Sequence, residues 1–209
     1  MLDLILPLEC GGCGAPATRW CDACASELAL RPADPWLITP RVDPGVPVFS
    51  LGRYAGARRA AIVAAKEHGR SDLIAPLAAV LSSGLGRLVG WGIVEQPLTL
   101  VPAPTRRTAA RRRGGDPVAR IASAVADDRD GVVVVSALRM RATTRDSVGL
   151  STTARQRNVR GRVRLRRHVG GRVLLIDDIV TTGATAAESV RILQGAGARV
   201  AGVLAIAHA

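Results

Sequence analysis

The sequence predicts an α/β fold: a parallel sheet flanked by helices, with a small N-terminal module carrying four cysteines. Three observations predict it. Short runs of β-formers alternate with helix-patterned segments across crossovers long enough for parallel pairing. Nearly half of the 209 residues are apolar, enough to bury a substantial core. All four cysteines fall in the first 30 residues, so composition itself separates that end from the rest.

Composition divides the chain into a module at 1–30, a Pro-rich extended linker at 31–50 (Pro32, Pro35, Pro40, Pro44, Pro47) and an α/β domain at 51–209. Ala57 to Lys66 and Leu73 to Leu88 have helical apolar spacing, broken at Gly69. Leu98 to Val101 reads as a short strand ended by Pro102 and Pro104. Asp116 or Pro117 opens a helix running to about Asp127, and Val132 to Val135 reads as a strand buried on both faces. Val173 to Ile179 is a second buried strand; Ala186 to Leu193 is a helix closed by Gly195 and Gly197, and Val200 to Ile206 is the last strand.

The chain carries a formal charge of +12, which fits a phosphate-rich partner, either nucleic acid or a polyphosphorylated small molecule. Lys66 is the only lysine, so part of that charge reflects a general preference for arginine. Even so, the arginines cluster at 106–113 and 155–167. The N-terminal apolar run lacks a basic segment, Glu9 spoils a lipoprotein cleavage site, and no uninterrupted apolar stretch reaches bilayer-spanning length. The expected location is the cytosol, without membrane insertion.

The segment VLLIDDIVTTGAT, residues 173–185, carries the chemistry. A strand ends in Asp177 and Asp178, and Thr181, Thr182, Gly183, Ala184 and Thr185 lead into a helix. Ligands of open α/β sheets sit beyond the carboxyl ends of the strands. Successive backbone N–H groups and hydroxyls, aided by the positive end of a helix, make a monophosphate cradle. Adjacent acids beside a phosphate need a hydroxylic or cationic partner. A ribose 5-phosphate supplies one, its vicinal hydroxyls donating to Asp177 and Asp178 while Mg²⁺ bridges nearby oxygens.

Together these residues resemble the phosphoribosyl-pyrophosphate (PRPP) signature of type I phosphoribosyltransferases, and the wider chain resembles the ComF family of competence proteins. That resemblance rests on the cysteine cluster, then Tyr54, Gly56 and Lys66, then Val101 to Pro104, Arg113 with Gly114, and Arg155 to Val159 before the PRPP signature. It implies a pyrophosphate loop at Pro102 and Ala103, with Arg113 the favoured arginine among Arg106, Arg107, Arg111 and Arg113. The span Arg139 to Arg167 resembles the hood that closes over PRPP in this superfamily. Where the family has an aromatic, Asn and Gln, this chain has Gly115, Asp116 and Pro117, and Ser147 replaces a Gln. These departures bear on the acceptor more than on PRPP.

Cys10-x2-Cys13 and Cys21-x2-Cys24 form two knuckle-like pairs separated by seven residues. Four thiolates satisfy a closed structural Zn²⁺ site. Two disulfides or an iron–sulfur cluster are the alternatives. His68, His168 and His208 are read as ordinary surface or helix-end residues.

The resemblance implies pentosyl transfer, with Asp177 and Asp178 holding the ribose at the reacting centre, and a role in DNA uptake or in handling single-stranded DNA alongside DNA-processing proteins. A housekeeping nucleobase phosphoribosyltransferase and a non-catalytic PRPP-sensing regulator that binds nucleic acid are the competing readings. With few aromatics, DNA affinity is expected to be mainly electrostatic.

Overall fold

The computed structural model describes residues 8–105, 115–141 and 161–209. Its strands are β1 (Trp36–Ile38), β2 (Val48–Ser50), β3 (Leu98–Pro102), β4 (Val132–Val134), β5 (Leu138–Met140), β6 (Val163–Leu165), β7 (Arg172–Val180) and β8 (Arg199–His208). The helices are α1 (Asp22–Leu28), α2 (Gly56–Glu67), α3 (Ile74–Gly90), α4 (Pro117–Asp127) and α5 (Ala184–Gly195).

The main sheet has the order β1-β2-β8-β7-β3-β4. Every pair in it is parallel except β1 with β2. The expected mostly parallel sheet flanked by helices is therefore present. Alternation along the central strands sorts their side chains to two faces. Leu174, Ile176, Leu204, Ile206, Leu98 and Leu100 face one core, which contains the buried faces of α2, α3 and α4. Val173, Leu175, Val203, Ala205 and Val101 face the other, against Ala186, Val190 and Leu193 of α5.

Element boundaries follow local chemistry. Asp116 caps α4, its carboxylate accepting from Val118 N at 3.0 Å, and Pro117 takes the first helical position. Two of the residues that depart from the ComF pattern thus start a helix. Gly183 adopts φ +82°, and a Cβ there would lie 2.5 Å from the Val42 carbonyl, so only glycine fits this close approach.

Three features differ from the expectations. Residues 36–38 and 48–50 of the segment read as a linker form β1 and β2, and β2 is completely buried. Prolines obscure these short strands; β2 gains its stability from pairing with β8, and β1 from pairing with β2, rather than from their own sequence. β4 is an edge strand, and Val133 is 56% exposed. Its β-branched run reflects strand propensity and not burial on both faces. The hood-like span begins and ends in a two-stranded antiparallel hairpin, β5 with β6; residues 142–160 lie outside the described residues.

Ser71–Gly90 is long and apolar enough to cross a bilayer by length and composition, yet half of that window is buried inside the molecule. Leu77, Leu81, Leu85 and Leu88 of α3 are core residues.

The cysteine-bearing end packs closely on this core. Leu28 of α1 is a core residue. Glu27 accepts from Ala57 N at 2.9 Å, at the start of α2. The buried Arg58 guanidinium donates to Leu28 O at 3.0 Å and to Ile206 O at 3.3 Å, joining α1, α2 and β8. Arg58→Ala strands both carbonyls and opens a cavity, so it should destabilise the protein by about 2–4 kcal/mol. Urea unfolding followed by circular dichroism measures this, and a loss below about 0.5 kcal/mol would contradict the tie.

Candidate functional site

The strand order creates a crevice. From β3 the chain crosses through α4 to β4 on one side; from β7 it crosses through α5 to β8 on the other. β3 and β7 are neighbours, with Leu100 opposite Leu174 and Pro102 opposite Ile176. Their carboxyl ends therefore flank the point where the direction of winding reverses, the usual ligand position in open α/β sheets.

Most of the residues singled out from the sequence meet here. Ala103 N donates to Ile176 O at 2.7 Å, which places the Pro102–Ala103 turn beside the strand bearing Asp177 and Asp178. β7 continues through both acids to Val180, one residue beyond the Ile179 expected for its end. Thr181, Thr182 and Gly183 make the turn, and α5 starts at Ala184, taking Ala184 and Thr185 into its first turn. Val42 N donates to Thr182 O at 2.9 Å, so the segment before β2 braces the turn from outside. Arg113 lies outside the described residues.

Both acids are largely buried. Burial, and then the neighbouring Asp178, push the Asp177 carboxyl well above the usual carboxylate range, against the opposing pull of Lys66. Lys66, at the end of α2, contacts Asp178 at 2.5 Å. Its own burial opposes the charge, but Asp178 and then Asp177 outweigh it and raise the ammonium pKa. One lysine thus faces two carboxyl groups, an arrangement suited to hydroxyl donors or a further cation. Sequence reasoning placed Lys66 in the ComF pattern but did not assign it to the site. Its distance from Asp178 along the chain hides the contact.

A cleft of about 240 Å³ adjoins the turn, lined among others by Ala103, Thr105, Asp116, Arg139 and Arg166. Thr105 Oγ1 donates to Asp116 at 2.6 Å. The β5–β6 hairpin supplies Arg139 and Arg166, two cations that the sequence showed only as members of an arginine-rich span.

At the other end of the molecule, Cys10, Cys13, Cys21 and Cys24 bring their four sulfurs within 4.8 Å of one another. Cys21 Sγ lies 3.7 Å from both Cys10 Sγ and Cys13 Sγ. Tetrahedral zinc with bonds of about 2.3 Å requires sulfur separations of about 3.8 Å, so the cluster fits that ion. All four cysteines are free thiols, unlike the disulfide alternative. Gly12 N and Cys21 N point at Cys10 Sγ, at 3.5 and 3.4 Å. Burial pushes the Cys10 thiol up, but N–H groups of Cys13, Gly12 and Cys21 outweigh it and bring it down to about 6. Burial and the adjoining sulfurs push Cys24 the opposite way. Sulfurs this close need a cation to be thiolates together.

No protein-family model matches the sequence, and no curated protein matches it. Among solved structures, the chain is similar to a hypoxanthine phosphoribosyltransferase from Staphylococcus aureus. The two are 18% identical, with a TM-score of 0.34, over 62% of this chain and 61% of that one. The fold assignment rests on the strand order and crossovers themselves.

The cysteine geometry predicts one zinc ion per purified chain by elemental analysis, with no iron–sulfur absorption band. Cys13→Ser should lower zinc content and, because the module packs on α2 and α3, lower the thermal midpoint of the whole protein.

Proposed function

We propose that this chain is a ComF-like protein of the type I phosphoribosyltransferase kind. In this reading it binds PRPP with Mg²⁺ between β3 and β7 and passes ribose 5-phosphate to an acceptor, in the handling of single-stranded DNA. The observation that carries the proposal is the contact between Ala103 and Ile176, which sets the Pro102–Ala103 turn beside two adjacent carboxyl groups and the strand that leads into the Thr/Gly-rich turn.

Each part of PRPP has a counterpart. The 5-phosphate takes the N–H groups and hydroxyls of Thr181 to Thr185 at the start of α5. The ribose hydroxyls donate to Asp177 and Asp178. The raised Asp177 and the Lys66 ion pair hold the net charge of the acids low, so an anionic ligand does not meet two bare carboxylates. The pyrophosphate takes the Pro102–Ala103 turn, with Arg113, Arg139 and Arg166 as its cations. During transfer the bond from C1′ to pyrophosphate breaks with its electron pair leaving on pyrophosphate, and positive charge builds on the ribose beside the acids. Mg²⁺ held with PRPP supplies charge neutralisation for the leaving group. Zinc in the cysteine module is structural, since all four ligand positions are filled by protein sulfur.

The DNA role draws its support from the charge of +12 and from the hairpin, where Arg139 lies opposite Arg164 in register.

Calorimetry should detect Mg²⁺-dependent PRPP binding, weakened at least about tenfold by Asp177→Asn with Asp178→Asn, as expected for lost hydrogen bonds to charged groups. Equal affinity in both proteins would remove the assignment of ribose contacts. Labelled single-stranded DNA should bind with little sequence preference, and more weakly as salt rises. Absence of binding at low salt would leave a small-molecule transferase.

A further inference from the structure

The four sulfurs of the cysteine cluster are chemically alike but not equally reachable. Cys10 and Cys24 are buried, Cys21 is half-buried and Cys13 is exposed. Local packing causes the difference. Gly12 and the Trp20 ring wall in Cys24: a Cβ on Gly12 would lie 2.5 Å from Cys24 Sγ and 3.0 Å from the Trp20 ring. Cys10 Sγ lies under the Gly12 and Cys21 N–H groups, at 3.5 and 3.4 Å, and Cys10 packs with Cys24 and Ala57 in a small core of its own. The other side of the first turn is open. A Cβ on Gly14, next to Cys13, would meet nothing within 4 Å. A solute must open the module to reach Cys10 or Cys24, whereas it meets Cys13 directly.

Cys21 Sγ stands 3.7 Å from Cys13 Sγ. Zinc binding keeps its sulfurs as thiolates, and the thiolate is the reactive form of cysteine. An accessible thiolate with a second sulfur beside it has the makings of an oxidant sensor, the second sulfur converting the first product to a disulfide. The geometry therefore separates the four ligands into an inner pair, Cys10 and Cys24, and an outer pair, Cys13 and Cys21.

We propose that Cys13 is an oxidation site for hydrogen peroxide, that Cys21 resolves it to a disulfide, and that zinc leaves as the link forms. The proposal rests on the zinc reading above. The Cys13 thiolate attacks one peroxide oxygen: the S–O bond forms, the O–O bond breaks, and the departing hydroxide takes a proton from solvent to become water. The Cys21 thiolate then attacks the Cys13 sulfur: the S–S bond forms, the S–O bond breaks, and the second hydroxide leaves as water with a second proton. Two electrons pass from the two sulfurs to the peroxide. Cys10 and Cys24 alone cannot complete a tetrahedral site. In a reducing compartment such a link is transient, as a signal requires.

The fold carries the change inward through α1. Cys21 is the N-cap of that helix and Cys24 lies in its first turn. At its far end Glu27 accepts from Ala57 N at the start of α2, and Leu28 enters the main core. A link from Cys21 to Cys13 reorients the start of α1, and loss of the ion removes the stabilisation that binding to the folded state gives.

The zinc-loaded full chain treated with hydrogen peroxide tests this. Zinc release is followed with a chromogenic chelator, and remaining thiols are blocked with N-ethylmaleimide before tryptic peptide mapping. Arg19 separates Cys13 from Cys21 in the sequence, so cleavage there leaves their disulfide as a bridge between two peptides. Wild type should lose its zinc, gain the Cys13–Cys21 link and show a lower thermal midpoint, and dithiothreitol with added zinc should reverse all three. Cys13→His keeps four ligands, three sulfurs and one imidazole, and should hold its zinc under the same peroxide. Cys10→His spares both reacting sulfurs and should lose its zinc as wild type does. Zinc retained by wild type, a first disulfide between any other pair, or release from Cys13→His as fast as from wild type overturns the proposal. If either variant fails to fold, the wild-type peptide map decides. A purified chain without zinc would refute the zinc reading, and the same map would still judge the cysteine pair.

Discussion

Everything at the crevice depends on where β7 sits in the sheet. It is hydrogen-bonded on both edges, to β8 and to β3, and its residues Val173 to Ile176 are fully buried. A strand held on four sides has no freedom to slip, because a one-residue shift would send each apolar side chain to the wrong face. That rigidity fixes Asp177 and Asp178 in place at its carboxyl end. Two acids could not be held so close in a loop, which would relax to separate them. Here the ladder continues to Val180, and the resulting strain in charge is relieved by Lys66 from α2 and by the shift of Asp177 toward its neutral form.

The same constraint organises the neighbours. β3 brings a proline-bounded turn against Ile176 on one edge, and β8 brings His208 against Val180 on the other. A ligand lying across the end of β7 would touch the products of three strands and one helix that are remote in sequence. Preorganisation of this kind lowers the ordering cost of binding, since the backbone groups are already immobilised by the sheet.

Much of this was legible in the sequence, for identifiable reasons. Strand, acids, Thr/Gly turn and helix at 172–195 are contiguous, and each step has a local cause. The paired Cys-x2-Cys spacing encodes the sulfur cluster equally locally. What stayed hidden depends on long-range pairing. Trp36–Ile38 and Val48–Ser50 are too short and too Pro-rich to announce strands, and β2 is recruited by β8. Lys66 meets Asp178 only because α2 packs on the face toward which that acid turns. His208 lacked a spacing partner because its partner, Ser50, comes from the other end of the chain. The run Val132 to Val135 misled in the opposite way: its composition matches a central strand, but the order of the sheet puts it at an edge.

The pairing of β2 with β8, Val48 opposite Val203, also bears on how the protein is made. During synthesis α1, β1 and β2 leave the ribosome long before the strand that receives them. Until β8 appears, Val48 and Phe49 have only the three-residue β1 beside them, and Arg58 lacks the Ile206 carbonyl it will bind. Contacts this distant in sequence form late and slowly, leaving apolar surface open to wrong partners in the interval. A metal ion held by the four cysteines would order the nascent N-terminal region before then, as their sulfurs come from a single short stretch of chain.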